Sequence, residues 1–237
     1  MKKILLLLSV TCLIPAYSAA VTAKSWIVAD HRGNIIQSEN TTQLRSIASI
    51  TKLMTVMAVI DAGQDLREKI GNQTRHQVIQ MALVKSDNHA ADLLCEHYPM
   101  GTHACVNAMN KKAQEIGMID TKFIEPTGLS VMNISTANDL VKLVLAASEY
   151  SEVIQASRTP VISTKSQKKF MLYHNTNPLV AQDSSRFFVS KTGYIRRAGG
   201  CIVMMLDTSV GRRIIILLGS KDTHTRIPEA VTLMSLG

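Results

Sequence analysis

Aromatic residues make up only 4% of this 237-residue chain, with a single tryptophan. There is no zinc-finger spacing, no helix-turn-helix pattern and no stretch in which aromatics interleave with basic residues. The lysines and arginines are scattered, so nucleic acid is not an expected partner. Low-complexity tracts and internal repeats are also missing, which excludes a solenoid or a disordered linker protein. Beyond residue 20 no apolar run is long enough to span a bilayer, so membrane association is expected to be peripheral at most. Cysteine is scarce, at four residues. What remains is 46% hydrophobic and 19% charged, the composition of one globular domain, with room for two lobes.

The first twenty residues stand apart. Lys2 and Lys3 precede the apolar run "ILLLLSVTCLI", and Ser18 to Ala20 supply small residues for cleavage. This reads as a secretory signal over 1–20, followed by an exported mature domain over 21–237. Cys12 is not read as a lipid anchor, because "SVTC" lacks the leucine such sites carry and lies inside the apolar run. Without Lys2 and Lys3, 24 basic and 18 acidic residues leave the mature form at +6. That mild positive field suits work near an anionic polymer or membrane surface.

Cys95, Cys105 and Cys201 remain after cleavage. Export permits a disulfide, and "CEHYPMGTHAC" closes a short loop between Cys95 and Cys105. His97 and His103 lie inside that loop, so a zinc site is an alternative, as are two free thiols; the ligand order matches no known zinc spacing. Cys201, in the apolar "GGCIVMML", reads as a small buried residue.

"SWIVADHRGNIIQSEN" predicts two strands around a turn at residues 31–34. Ile50 to Ile60 is apolar on nearly every face, as in a buried helix, with Gly63 as a stop. Helical spacing recurs through "VIQMALV", "AADLLCEHY", "ACVNAMNKKAQEIG" and "TANDLVKLVLAASEY", the last with Thr136 and Asp139 where caps belong. Past Ser157 the pattern turns to strands in "PVIST", "RFFVSKTGY", "CIVMMLD" and "RRIIILLGS", with a turn at "TSVG". A short helix over residues 226–236 follows. Strands near both ends and helices between predict one sheet built from both ends of the chain, with a helical lobe inserted.

Chemistry concentrates at three places. In "RSIASITKLM", Ser49 stands three residues before Lys52, a spacing that puts both on one helix face. Serine needs a base, and a lysine held neutral by burial and neighbouring positive charge can serve. The bland alternative is a helix cap beside a lysine that reaches solvent. A second Ser-x-x-Lys, Ser166 to Lys169, sits in a polar stretch. "KSDNHAADLL" carries Ser86-Asp87-Asn88, which a helix cap would also explain. A second serine–x–asparagine stands at Ser38 to Asn40. "FFVSKTGYIRRAGG" carries Lys191-Thr192-Gly193-Tyr194 at the end of an apolar strand, where a turn is the plain reading.

In that order the three form a known combination: Ser-x-x-Lys, Ser-Asp-Asn, Lys-Thr-Gly. Ser49 attacks a carbonyl and becomes acylated. Lys52 takes its proton. Ser86 passes a proton toward the leaving nitrogen, and Asn88 holds Lys52 and a substrate amide. Lys191 places positive potential where a substrate carboxylate would sit. Gly193 keeps the strand edge bare so that substrate can lie along it. The backbone N–H groups of Ser49 and Tyr194 are the candidates for an oxyanion hole.

With "IASITKLM", "AMNKKAQEIGM", "EPTGLS", "NISTANDLVKL", "HNTN" and "KTGYIRRAGGC", the sequence resembles the low-molecular-mass penicillin-binding proteins, the serine-type D-alanyl-D-alanine peptidases. Within them it looks like the single-domain periplasmic endopeptidases. The resemblance covers nearly the whole mature chain. It implies an α/β (α+β) fold of β-lactamase/transpeptidase-like type, with an antiparallel sheet from both termini flanked by helices. It implies cleavage of D-amino-acid peptide bonds in peptidoglycan, without metal or other cofactor, and acylation by β-lactam antibiotics. Three features depart from the pattern. "RSIAS" lacks a proline after Arg45, Arg196 and Arg197 replace a smaller polar pair, and the Cys95/Cys105 pair is not expected.

Two rival functions are a β-lactamase and a non-catalytic peptidoglycan-binding protein. Glu125 in "EPTGLS" resembles a deacylating glutamate, but Gly128 intrudes and no asparagine follows the leucine, so Glu125 is expected to shape a loop. The intact motifs speak against a scaffold. Carboxypeptidase action is the nearer alternative. Those enzymes usually add a second β domain and an amphipathic anchor, whereas this chain ends about forty residues after Lys-Thr-Gly. Endopeptidase action is therefore expected.

Overall fold

The computed structural model describes residues 21–166 and 169–236. The expected leader at 1–20, with Cys12, lies outside the described residues.

The chain enters as β1 (Ser25–Asp30), turns and returns as β2 (Ile35–Glu39). Asp30 fixes the turn, its Oδ1 accepting the N–H groups of Arg32 and Asn34, an Asx device. The short β3 (Arg45–Ser46) leads through a 3-10 turn at 48–50 into α1 (Thr51–Asp61). Next come a small hairpin, β4 (Lys69–Ile70) and β5 (Gln73–Thr74), and α2 (Arg75–Gln80), which continues as a π-helical turn over 81–85. Helices α3 (Asn88–Glu96) and α4 (Gly101–Glu115) follow, then a long loop, β6 (Ile134–Ser135) paired with β3, α5 (Ala137–Ala147) and α6 (Ser151–Ser157). Thr136 caps α5 as expected, its Oγ1 accepting from the Asp139 N–H. A second hairpin, β7 (Val161–Ser166) and β8 (Lys169–His174), precedes the one-turn α7 (Leu179–Gln182). Three long strands and a helix complete the chain: β9 (Phe187–Ile195), β10 (Gly199–Thr208), β11 (Gly211–Ser220) and α8 (Arg226–Met234).

The main sheet is antiparallel, in the order β2-β1-β11-β10-β9. Strand β1, from the start of the described chain, pairs with β11 from its end, so the sheet is built from both ends as predicted. Both faces are covered. Ile214, Ile216 and Leu218 join Cys201, Val203 and Met205 in the core beneath α1 and α5. Their alternates Ile215, Leu217, Ile202, Met204 and Leu206 pack with Ala230 and Leu233 of α8. Double coverage is why "CIVMMLD" and "IIILLGS" read as continuous apolar runs rather than alternating ones. Helix α1 lies inside the larger core, with residues 51–59 buried without interruption. Strand β9 is the sheet's outer strand on the side facing the helical lobe.

The hairpin β7–β8 extends further than expected, since β8 was not among the predicted strands. It places Ser166 opposite Lys169 in register across two strands. That geometry has no helix turn, so this Ser-x-x-Lys does not repeat the one at Ser49.

Candidate active site

Ser49 sits in the 3-10 turn that opens α1, half-buried, behind an Ala48 held at φ +48°. A left-handed alanine is strained and persists only where its surroundings enforce it. Two glycines do so. A Cβ on Gly128, itself at φ +84°, would lie 1.9 Å from the Ala48 carbonyl oxygen. A Cβ on Gly193 would come within 3.0 Å of the Ser49 nitrogen. The serine turn is thus clasped between a loop and strand β9, and Gly193 is required for close backbone approach as well as for a bare edge. Thr51 adds a side-chain bond, Oγ1 donating to the Ala48 oxygen at 2.8 Å.

Lys52, one helical turn on, is fully buried. Its Nζ lies 2.9 Å from Ser49 Oγ, 2.7 Å from Asn88 Oδ1 and 2.6 Å from the Thr127 carbonyl. As an ammonium it donates to all three. As an amine it keeps two donors on the two carbonyl oxygens, and its lone pair is left for the Ser49 hydroxyl. Asn88 and Thr127 therefore orient the base toward its proton source. Burial lowers the Lys52 pKa to about 8, opposed by the negative charges of Glu125, Asp87 and Asp92.

The loop behind Thr127 is organised by Glu125. Its carboxylate accepts from the N–H of Thr127 and Gly128, the Thr127 hydroxyl and Asn133 Nδ2. Asn133, fully buried, also donates to Thr51 Oγ1 at 3.1 Å, tying the loop to α1. With its oxygens committed to the loop, Glu125 supports the turn rather than activating water.

Across the cleft, the π-helical turn ends on Ser86 in left-handed geometry, φ +61°. Asp87 caps α3 through the Ala90 N–H, as the plain reading of Ser-Asp-Asn required, while Asn88 turns to Lys52. Ser86 Oγ accepts from Lys191 Nζ at 2.7 Å, and the same amine donates to the Thr192 carbonyl at 2.9 Å. Lys191 is buried, with no carboxylate in contact, and its pKa is driven well down by burial and by the charges of Lys52 and Arg226. Lys191 thus stands in the wall where the expected positive potential was placed, and Arg226 adds a second cation at the same cleft. Arg226, at the start of α8, lines the cleft and donates from Nη1 to the Gly193 carbonyl at 2.8 Å.

Ser49, Ser86, Asn88, Thr192, Gly193 and Tyr194 thus line one cavity of about 270 Å³, closed by Leu129, Thr176, Thr223 and Arg226. Tyr194, half-exposed, presents the second expected oxyanion donor at its rim. Lys52 and Lys191 stand in the walls behind Ser49 and Ser86. Arg196 and Arg197 lie exposed in the turn beyond β9, outside this lining. Sequence reasoning missed Arg226 and Thr176, which no local pattern marks, and Thr127, whose contribution is a backbone carbonyl. Away from the cleft, the sulfurs of Cys95 and Cys105 are joined as a disulfide between α3 and α4, and Cys201 is buried and free.

A family model described as D-alanyl-D-alanine carboxypeptidase matches residues 14–73 and 66–222. The D-alanyl-D-alanine endopeptidase of Escherichia coli is 40% identical over 234 residues, covering 90% of this chain and 76% of that protein. Its namesake in Pseudomonas aeruginosa is 31% identical over 242 residues, covering 93% and 78%. The crystal structure of a Streptomyces DD-transpeptidase superposes with a TM-score of 0.84 over 92% of this chain and 97% of that one, at 22% identity, and so shares the fold.

Proposed function

The chain belongs to the D-alanyl-D-alanine carboxypeptidase family of serine peptidases, and we propose on that premise that its cleft opens D-alanyl peptide bonds of peptidoglycan stem peptides through an acyl-enzyme on Ser49. The observation that carries this assignment is the Lys52 amine, 2.9 Å from Ser49 Oγ and held there by Asn88 and the Thr127 carbonyl.

Neutral Lys52 accepts the Ser49 proton as Oγ attacks the carbonyl carbon. The oxygen of the tetrahedral intermediate takes N–H donors from Ser49 and Tyr194. The carbon–nitrogen bond then breaks, and the leaving amine receives, through the Ser86 hydroxyl, the proton that Lys52 took from Ser49, so that Lys52 is neutral again; Lys191 orients that hydroxyl. Water, deprotonated in its turn by Lys52, hydrolyses the ester and returns Ser49. Substrate lies as an added strand along β9, the outer strand of the sheet. Arg226 holds the carboxylate of the leaving D-residue. A penicillin enters the same cleft and acylates Ser49.

Endopeptidase action on cross-links is favoured by the two relatives that carry that name at 40% and 31% identity. Its substrate lies outside the cytoplasm, and so does the protein. A cleaved leader at 1–20 and a periplasmic location belong to this reading. Among the described residues no helix is long and apolar enough to cross a membrane, and any membrane contact is peripheral.

The test is digestion of purified muropeptides, cross-linked dimers and monomeric pentapeptides separately, by the mature chain and by Ser49→Ala. Dimer cleavage and penicillin labelling that both vanish in the alanine variant support the assignment. Normal labelling of Ser49→Ala overturns it.

A further inference from the structure

The acylation cleft, at about 270 Å³, is smaller than pockets that enclose a drug-sized ligand. Beside it lies a larger groove of about 680 Å³, which the mechanism above does not use. One wall is the β4–β5 hairpin, with Asn72 and Gln73. The opposite wall is the second hairpin, with Thr164 of β7 and Tyr173 of β8. The Ser-Asp-Asn segment stands between groove and cleft. Ser86 and Asn88 line the cleft, while Asp87 and His89 line the groove. The far walls are also shared, because the chain runs on from Tyr173 of β8 through the following turn to Thr176, which lines the cleft. Polar contacts fix both walls. Lys85 pairs with Asp87 at 2.7 Å and stands 4.2 Å over the Tyr173 ring. The Thr176 N–H donates to the Val84 carbonyl at 3.1 Å.

The groove lies at a defined end of the cleft. A substrate strand antiparallel to β9 runs from Tyr194 toward Lys191, so its amino-terminal, acyl side lies near Tyr194. The leaving side points to Lys191, Thr192 and Thr176, and the groove continues from there. A carboxypeptidase releases one amino acid at this end and has nothing to place beyond it. An endopeptidase acting on a cross-link releases a residue that belongs to a second stem peptide.

We propose that the groove between the two hairpins binds the second, leaving stem peptide of a cross-linked substrate, and thereby selects cross-links over free pentapeptide ends. This rests on the endopeptidase reading above. The ligand is a peptide of mixed polarity, bound by the amide and hydroxyl side chains of Asn72, Gln73 and Thr164, with Tyr173 as an apolar floor.

Asn72→Trp and Thr164→Trp each fill the groove without touching the cleft. Each variant is compared with the parent in three assays: cleavage of cross-linked dimers, D-alanine release from monomeric pentapeptide, and acylation by a labelled penicillin. The expected result is a fall of about tenfold or more in kcat/KM for dimers, because remote contacts are spent at the reacting centre. Pentapeptide release and penicillin acylation should change by less than about twofold, which also shows an intact fold. Unimpaired dimer cleavage in both variants overturns the groove assignment and leaves the endopeptidase reading standing. Equal losses in all three assays also overturn it. A parent protein that releases D-alanine but leaves dimers uncut refutes the endopeptidase reading itself, and the groove assignment with it.

Discussion

Replacing Lys52 with arginine asks whether the amine held between Asn88 and Thr127 is a base. With a pKa of about 8, about one Lys52 in ten is neutral at pH 7, against about one in three thousand for an ordinary lysine. Burial therefore enlarges the base-competent population at pH 7 about 300-fold, equivalent to about 3 kcal/mol. Acylation by a penicillin should climb about tenfold per pH unit below the limb and level off above pH 8. Because Lys191 stands close enough to share the titration, the measured limb belongs to the pair. The arginine variant keeps a charge that cannot leave, so acylation should fall by about 10⁴-fold or more with no limb, while circular dichroism stays native. The same shift has a stability signature with a definite sign. Between pH 8 and 10.5 the folded state binds fewer protons at Lys52 than the unfolded chain, so stability rises with pH through that window and is lowest below it. Measured against Lys52→Met, wild-type protein should gain up to about 3 kcal/mol from pH 7 to 10.5. A pH-independent acylation rate from pH 6 to 9, or a Lys52→Arg protein that acylates normally, would show that another group takes the serine proton.

Gly128→Ala should abolish penicillin labelling, since its methyl group would sit 1.9 Å from the Ala48 oxygen and displace the serine turn; normal labelling with an unshifted melting curve would contradict the clasp. Arg226→Gln should raise KM for peptides with a free carboxylate on the leaving residue, with little effect on an amidated analogue; equal effects on both would remove its charge from recognition. Non-reducing peptide mapping should recover Cys95 and Cys105 as one fragment. Their joint replacement by alanine should cost roughly 2–3 kcal/mol in a denaturant titration, as for a loop of this length, and two free thiols in the parent would refute the bond.

Much of the site was legible because its parts are local. Ser49 and Lys52 are one helix turn apart, Ser86 to Asn88 form one cap, and Lys191 to Tyr194 one strand end. Their order along the chain supplied the constellation. The long strands were legible from their apolar runs, and α5 from its Thr136 cap. What stayed hidden depends on folding. Arg226 reaches the cleft from a helix beyond two further strands. Thr127 acts through a carbonyl, which carries no side-chain signature. The full burial of Lys191 beside Ser86 could not be read from its type, because it depends on how β9 packs against the helical lobe. Strand β8 was missed because "KFMLYH" forms an outlying hairpin, where Phe170 and Leu172 remain exposed, rather than a core strand.

The pairing of Ser25 with Leu218 imposes an order on biogenesis. A chain made from its amino end delivers β1 and the serine turn first, and β1 has no partner on its β11 side until nearly the whole chain has been made. Helices α1 to α4 pack mainly on one another and can condense meanwhile, whereas closing the sheet carries the entropy cost of a very long loop. The clasp on Ser49 needs Gly193, and the cleft needs Arg226, so both arrive late. Nucleophile and binding strand meet only after synthesis is almost complete. A nascent or prematurely ended chain is therefore inert toward both cell wall and antibiotic. Its unpaired β1 edge makes it a client for chaperones or proteases.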